Sequence, residues 1–211
     1  MRAERNSAVA ELQEIIEAQT LVGDPSTFAI GYAFIGNDRT TEISMFADGV
    51  NLLGFTKDGC HYTTRWMYLE GLVAWLKSFA TTMKADPYPI DVEGEFAAER
   101  HARAYGLAPE DEDAFWEYIF PLHDWGYNHS WHSESGGAIL ANIMFEYAAG
   151  MVELSWDNRD PEEGVVFDCE FGGTRVNAKR FQTVVLDFVD AYEKHWGIKV
   201  DDESTWLRKS R

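Results

Sequence analysis

Between positions 123 and 134 the chain reads His123-Asp124-Trp125-Gly126-Tyr127-Asn128-His129-Ser130-Trp131-His132-Ser133-Glu134, three histidines and two carboxylates in twelve residues. Imidazole nitrogens and carboxylate oxygens make up a zinc donor set, and a His–carboxylate pair can also move a proton. The spacing weakens both uses. A zincin helix places two His four apart with a Glu between them, so that both imidazoles share one face. His129 and His132 are three apart, in a stretch whose Ser, Trp and Gly content reads as a loop. A structural or interface role is the preferred reading. A metal-dependent or acid–base enzyme using His123, His129 and His132 is the alternative.

Other chemistry is thinly supplied. Cys60 and Cys169 form no CxxC pair; each falls in an expected strand, where a buried thiol behaves as a small inert hydrophobe. They suit a reduced thiol state and a cytoplasmic setting. The chain contains no G-x-S-x-G elbow, P-loop or dinucleotide fingerprint. No catalytic residue, metal or cofactor is expected.

Charge is the strongest global signal. Thirty-six acidic residues against 18 basic give −18 over 211 residues, which disfavours a broad nucleic-acid-binding face. No run of 18 apolar residues occurs, and the opening Met1-Arg2-Ala3-Glu4-Arg5 is not a secretory stretch, so neither a membrane partner nor a signal peptide is expected. The charge is also uneven: residues 85–120 hold ten acids and only two bases, Arg100 and Arg103. Aromatic anchors ringed by acids are what a protein needs to grip a basic partner, because rings fill pockets while carboxylates steer encounter. Glu110, Asp111, Glu112, Asp113 and Glu117 are the expected steering groups, with Trp116 and Trp131 as anchors.

The elements that must position these residues follow from periodicity. Val9, Leu12, Ile15 and Ile16 predict a short amphipathic helix from Ser7 to Gln19, and Gly23-Asp24-Pro25 then punctuates the chain. Alternation predicts strands over Phe28–Ile35, Thr41–Phe46, Val50–Phe55 and Cys60–Thr64, with turns at Asp48-Gly49 and Asp58-Gly59. A helical stripe runs from Leu69 to Met83. Acids behind Pro109 mark a helix start over Pro109–Phe120. Ile143–Ala148, Met151–Trp156 and Val165–Phe171 predict three more strands, the last broken by Gly172-Gly173, with Thr174–Val176 as a short fourth. Asn177 caps a final helix that ends near Trp196-Gly197.

The fold class is therefore α+β: an antiparallel meander followed by a helix, occurring twice, joined by an acidic helical connection. The expected division is an N-terminal helix extension (1–22), a first meander–helix unit (23–84), an acidic helical and loop connection (85–141), a second unit (142–197) and a tail (198–211). Thr64-Arg65 and Thr174-Arg175 stand at matching places, with Cys60 and Cys169 shortly before each. A weak internal duplication and a chance likeness of two α+β units both stay open.

Gly23-Asp24-Pro25-Ser26-Thr27-Phe28-Ala29-Ile30, leading into an antiparallel meander, resembles bacterial immunity proteins of polymorphic toxin and contact-dependent growth inhibition systems. The stretch from Phe145 to Trp156 has the look of the same families. The chain departs from them in the helix ahead of the opening motif and in its long acidic middle. The resemblance implies a small cytoplasmic protein that neutralises one cognate toxin domain by stoichiometric binding. A basic partner, with a nuclease among the candidate toxins, fits the negative charge. A non-toxin interaction domain is the remaining alternative.

Overall fold

In the computed structural model, residues 19–83, 85–131, 139–161 and 163–200 are described; the helix expected over Ser7–Gln19 falls almost wholly outside them. The fold is mixed α+β. Strands β1 (Thr20–Asp24), β2 (Phe28–Ile35), β3 (Thr40–Ala47), β4 (Val50–Asn51), β5 (Gly54–Lys57) and β6 (Cys60–Met67) form the first meander. Helices α1 (Glu70–Thr82), α2 (Ala97–Gly106) and α3 (Glu112–His129) follow. Then come β7 (Ile143–Ala148), β8 (Met151–Asp157), β9 (Val165–Phe167), β10 (Phe171–Asn177) and α4 (Ala178–Trp196). The strand pairings are antiparallel. One sheet has the order β1-β2-β3-β6-β5-β9, with β4 on β3, and the second has the order β10-β8-β7.

The tight hairpins follow from local chemistry. Asp48-Gly49, Asp58-Gly59 and Ala149-Gly150 each take positive φ at both central positions, the primed turn whose twist matches its flanking strands. Asn177 caps α4 by accepting from the Lys179 and Arg180 amides, and Gly197 closes it in the left-handed region.

Both meanders bury their bulky faces in one core. Phe28, Ile30 and Tyr32 of β2, Val73, Leu76 and Phe79 of α1, Phe145 and Leu154 of the second sheet, and Phe181, Phe188 and Tyr192 of α4 belong to a single cluster. Helix α4 packs on strands of both sheets, with Phe181 stacked on Phe28 at 4.9 Å and edge-on to Phe79 and to Phe145 of β7.

Several expected boundaries change. The strand over Val50–Phe55 divides at Leu52 and Leu53, both fully buried, where Asn51 Oδ1 accepts from the Leu53 amide. The strand over Val165–Phe171 is two strands in two sheets: β9 pairs with β5, while β10 returns to β8. Gly172-Gly173 does not break a strand but lies inside β10. A Cβ on Gly173 would stand 2.4 Å from the Phe96 ring, so the glycine makes room for an aromatic packed against the strand. Cys60 is exposed at a hairpin end. Cys169 is buried in the β9–β10 link, where burial pushes its thiol up to about 12 and keeps it unreactive.

Candidate functional site

Helix α2 is built without bulky apolar residues. It buries Ala97, Ala98 and Ala104, and its N-terminus is satisfied from outside the helix. The Ala97 amide donates to Glu153 Oε1 at 2.8 Å and the Ala98 amide to Ser155 Oγ at 3.0 Å, both on β8. A carboxylate at a helix N-terminus pairs with free N–H groups and the positive end of the dipole. That docks α2 on the second sheet. Arg100 then reaches Glu146 on β7 at 2.5 Å, while Arg103 pairs with Glu99 one turn away.

Helix α3 packs on α2 through Phe115, Tyr118, Ile119 and Leu122, which meet Ala104 and the chain around Tyr88, Ile90 and Val92. Tyr118 donates to the Ala104 carbonyl at 2.9 Å. Asp111 is the N-cap, accepting from the Ala114 amide at 3.1 Å. Pro121 sits inside the helix and leaves the Glu117 carbonyl without its usual donor. The helix still continues to His129, because Leu122, Trp125, Gly126 and His129 are buried on its inner face. The loop expected around residues 123–129 is therefore helical.

With the inner face fixed, the 3.6-residue period sets the outer one. Trp116 is 47% and Phe120 59% exposed, and their rings stack at 5.4 Å. Asp113, Glu117 and Asp124 occupy the same outward arc and are exposed. None of the ion pairs among the described residues involves Glu110, Asp111, Glu112, Asp113, Glu117 or Asp124. The two arginines of the acidic region are already committed elsewhere. The result is an aromatic pair flanked by carboxylates that have no counter-ion among the described residues.

Sequence reasoning grouped Glu110, Asp111, Glu112, Asp113, Trp116 and Glu117, and the structure places them together at the start of α3. Asp111 differs from the others because it also holds the helix end. Trp131 is not on this surface. Only 5% exposed, it packs against Trp75 and Phe145 in the core, so no partner reaches it. Phe120 and Asp124 were missed; their signal is the i, i+4, i+8 spacing from Trp116, off the buried stripe.

The histidines separate. His123 is exposed on α3, His132 lies outside the described residues, and His129 is buried at the helix end. The His129 ring stacks on Trp125 at 4.0 Å, and its Nδ1 donates to the Trp125 carbonyl at 2.8 Å. Burial holds its pKa below the ordinary histidine value. Among the described residues, no group of three or more His, Cys, Asp or Glu side chains is placed to hold a metal ion. Among the same residues, no helix is long and apolar enough to cross a membrane.

No family model matches this chain, and no curated protein matches it at a significant level. Among solved structures it is similar to the CdiI protein of Burkholderia dolosa AUO158. The identity is 19%, covering 82% of this chain and 99% of that one, with a TM-score of 0.40. A likeness at that level carries no argument about what this chain does.

Proposed function

We propose that the chain is an immunity protein that neutralises a cognate toxin domain by stoichiometric binding, using the outer face of α3. The observation that carries the reading is the exposed Trp116–Phe120 stack set among Asp113, Glu117 and Asp124, which form no ion pair among the described residues. Half-exposed aromatic rings leave apolar area in water, and like charges along one arc repel each other. A basic partner offsets both, since the rings bury on contact and the carboxylates gain Lys or Arg counter-ions. The immunity role itself is supported by the resemblance that begins at Gly23-Asp24-Pro25 and by the −18 charge. An acidic inhibitor can occupy a basic substrate groove in place of nucleic acid, which suits a nuclease toxin.

Co-expression tests the reading. A toxin domain encoded beside this gene should arrest growth alone, and this chain should restore growth and co-purify with the toxin at one to one. Absence of both rescue and complex overturns the assignment. Rescue with substoichiometric protein would point instead to catalysis.

A further inference from the structure

We propose that the cavity between the C-terminal ends of α1 and α3 is a binding site for a small organic cation carrying an ammonium or guanidinium group. The cavity encloses about 210 Å³ and is lined by Trp75, Ser78, Phe79, Thr82, Asp86, Asn128 and His129. That volume suits one alkylammonium or alkylguanidinium group rather than a drug-sized molecule.

Its electrostatics come from three sources of one sign. Helix α1 ends at Thr82 and α3 at His129, so both negative dipole ends converge on the space. Among the described residues the last turns hold no Lys or Arg: that of α1 has no basic residue, and that of α3 has only His129, which burial keeps neutral. The third source is the Asp86 carboxylate, close enough to act electrostatically on the His129 imidazole. No Lys or Arg is found among its described lining residues.

The remaining walls suit the same ligand. His129 is 3% exposed and donates through Nδ1 to a carbonyl, so its Nε2 keeps a lone pair and can only accept. The Trp75 and Phe79 rings stack at 5.4 Å and 13°, which gives a parallel aromatic wall for a cation. Thr82 and Asn128 add side-chain oxygens. The site lies on the inner side of α3 and does not depend on the immunity reading.

Titration of the purified protein with n-butylammonium and n-butylguanidinium, followed on indole N–H signals, tests the proposal. The Trp125 indole reports directly, because its Nε1 donates to the Asp86 carbonyl at 3.4 Å. Saturable shifts of the Trp75 and Trp125 signals are expected with either cation, and none with n-butanol or butyrate. Asp86→Asn should weaken binding by roughly tenfold or more. Asn128→Lys, on the exposed rim, should abolish it by supplying a tethered ammonium, and it serves if Asp86→Asn fails to fold. Equal binding of n-butanol, no shift with either cation, or undiminished binding to both variants overturns the proposal. Complex formation with a toxin is a separate readout that none of these results decides.

Discussion

The protein uses carboxylates in two opposite ways. Inside, Glu193 on α4 accepts from Lys77 at 2.8 Å, from Lys199 at 2.5 Å and from the Val200 amide at 3.0 Å, tying α1, α4 and the following chain into one knot. Glu153 likewise satisfies an α2 amide and meets Arg175. On the outer face of α3, Asp113, Glu117 and Asp124 are exposed and take part in no ion pair among the described residues. The interior acids hold the fold, and removing one leaves donors without an acceptor. The outer acids repel one another, so removing one should leave the fold intact or slightly stabilised. Acidic content therefore says little about stability until each carboxylate is assigned a partner.

Three experiments bear on that contrast. The largest effect belongs to Glu193, where burial pushes the pKa up but hydrogen bonds from Lys199, Lys77 and the Val200 amide outweigh it and hold the pKa down to about 2, below the ordinary carboxylate range. A depressed carboxylate stabilises the fold at pH values above its unfolded pKa, and this is lost as pH falls from about 4.5 towards 2. The stake is on the order of 3 kcal/mol. Glu193→Gln should lower stability near pH 7 by an amount of that order and flatten the acid limb of a denaturant-midpoint against pH curve. A variant as stable as the parent at pH 7 would break the interior half of the comparison.

Next is the outer half. Asp113→Lys, Glu117→Lys and Asp124→Lys combined should leave the thermal midpoint unchanged or raised. The same variant should slow association with the toxin by about tenfold or more and weaken its salt dependence. Stopped-flow binding at two ionic strengths checks this, and an unchanged rate removes α3 from the proposed interface. The smallest effect concerns Asp111, which sits between the two classes. As an N-cap, Asp111→Ala should cost about 1 kcal/mol of stability with little change in association rate. A larger kinetic than thermodynamic effect would move Asp111 to the outer group.

Which features were legible follows from how local their causes are. The Asp-Gly turns, the strands over Phe28–Ile35, Thr41–Phe46, Ile143–Ala148 and Met151–Trp156, and the Asn177 and Gly197 caps are set within a few residues, and they stand in the structure to within a residue or so at each end. Strand β9 was merged with β10 because its partner β5 lies more than a hundred residues away, and no local pattern encodes that pairing. Helix α2 escaped because its buried face consists of alanines and its cap comes from β8. Pro121 and Gly126 are helix breakers by propensity, yet α3 runs through them because Leu122, Trp125 and His129 pack on its inner face. An expected loop after Phe120 leaves Asp124 off the helix face, and the burial of Trp131 against Trp75 and Phe145 is a long-range contact that no local pattern encodes. The acidic cluster itself was visible from composition, but which face it shares with the aromatics required knowing how far the helix extends.

The stacking of Phe28 on Phe181 has a consequence during synthesis. Phe28 leaves the ribosome about 150 residues before Phe181 of the helix that covers it, a delay on the order of 10–30 s at ordinary elongation rates. Through that interval Phe28 and Tyr32 lack their α4 partners Phe181 and Phe188, and β5 waits for β9 across most of that span. The nascent chain thus passes through a sticky, half-built stage that ends only when its last helix arrives. Chaperone demand and aggregation losses should concentrate in that stage, and truncation before residue 196 should yield insoluble protein rather than a smaller working one.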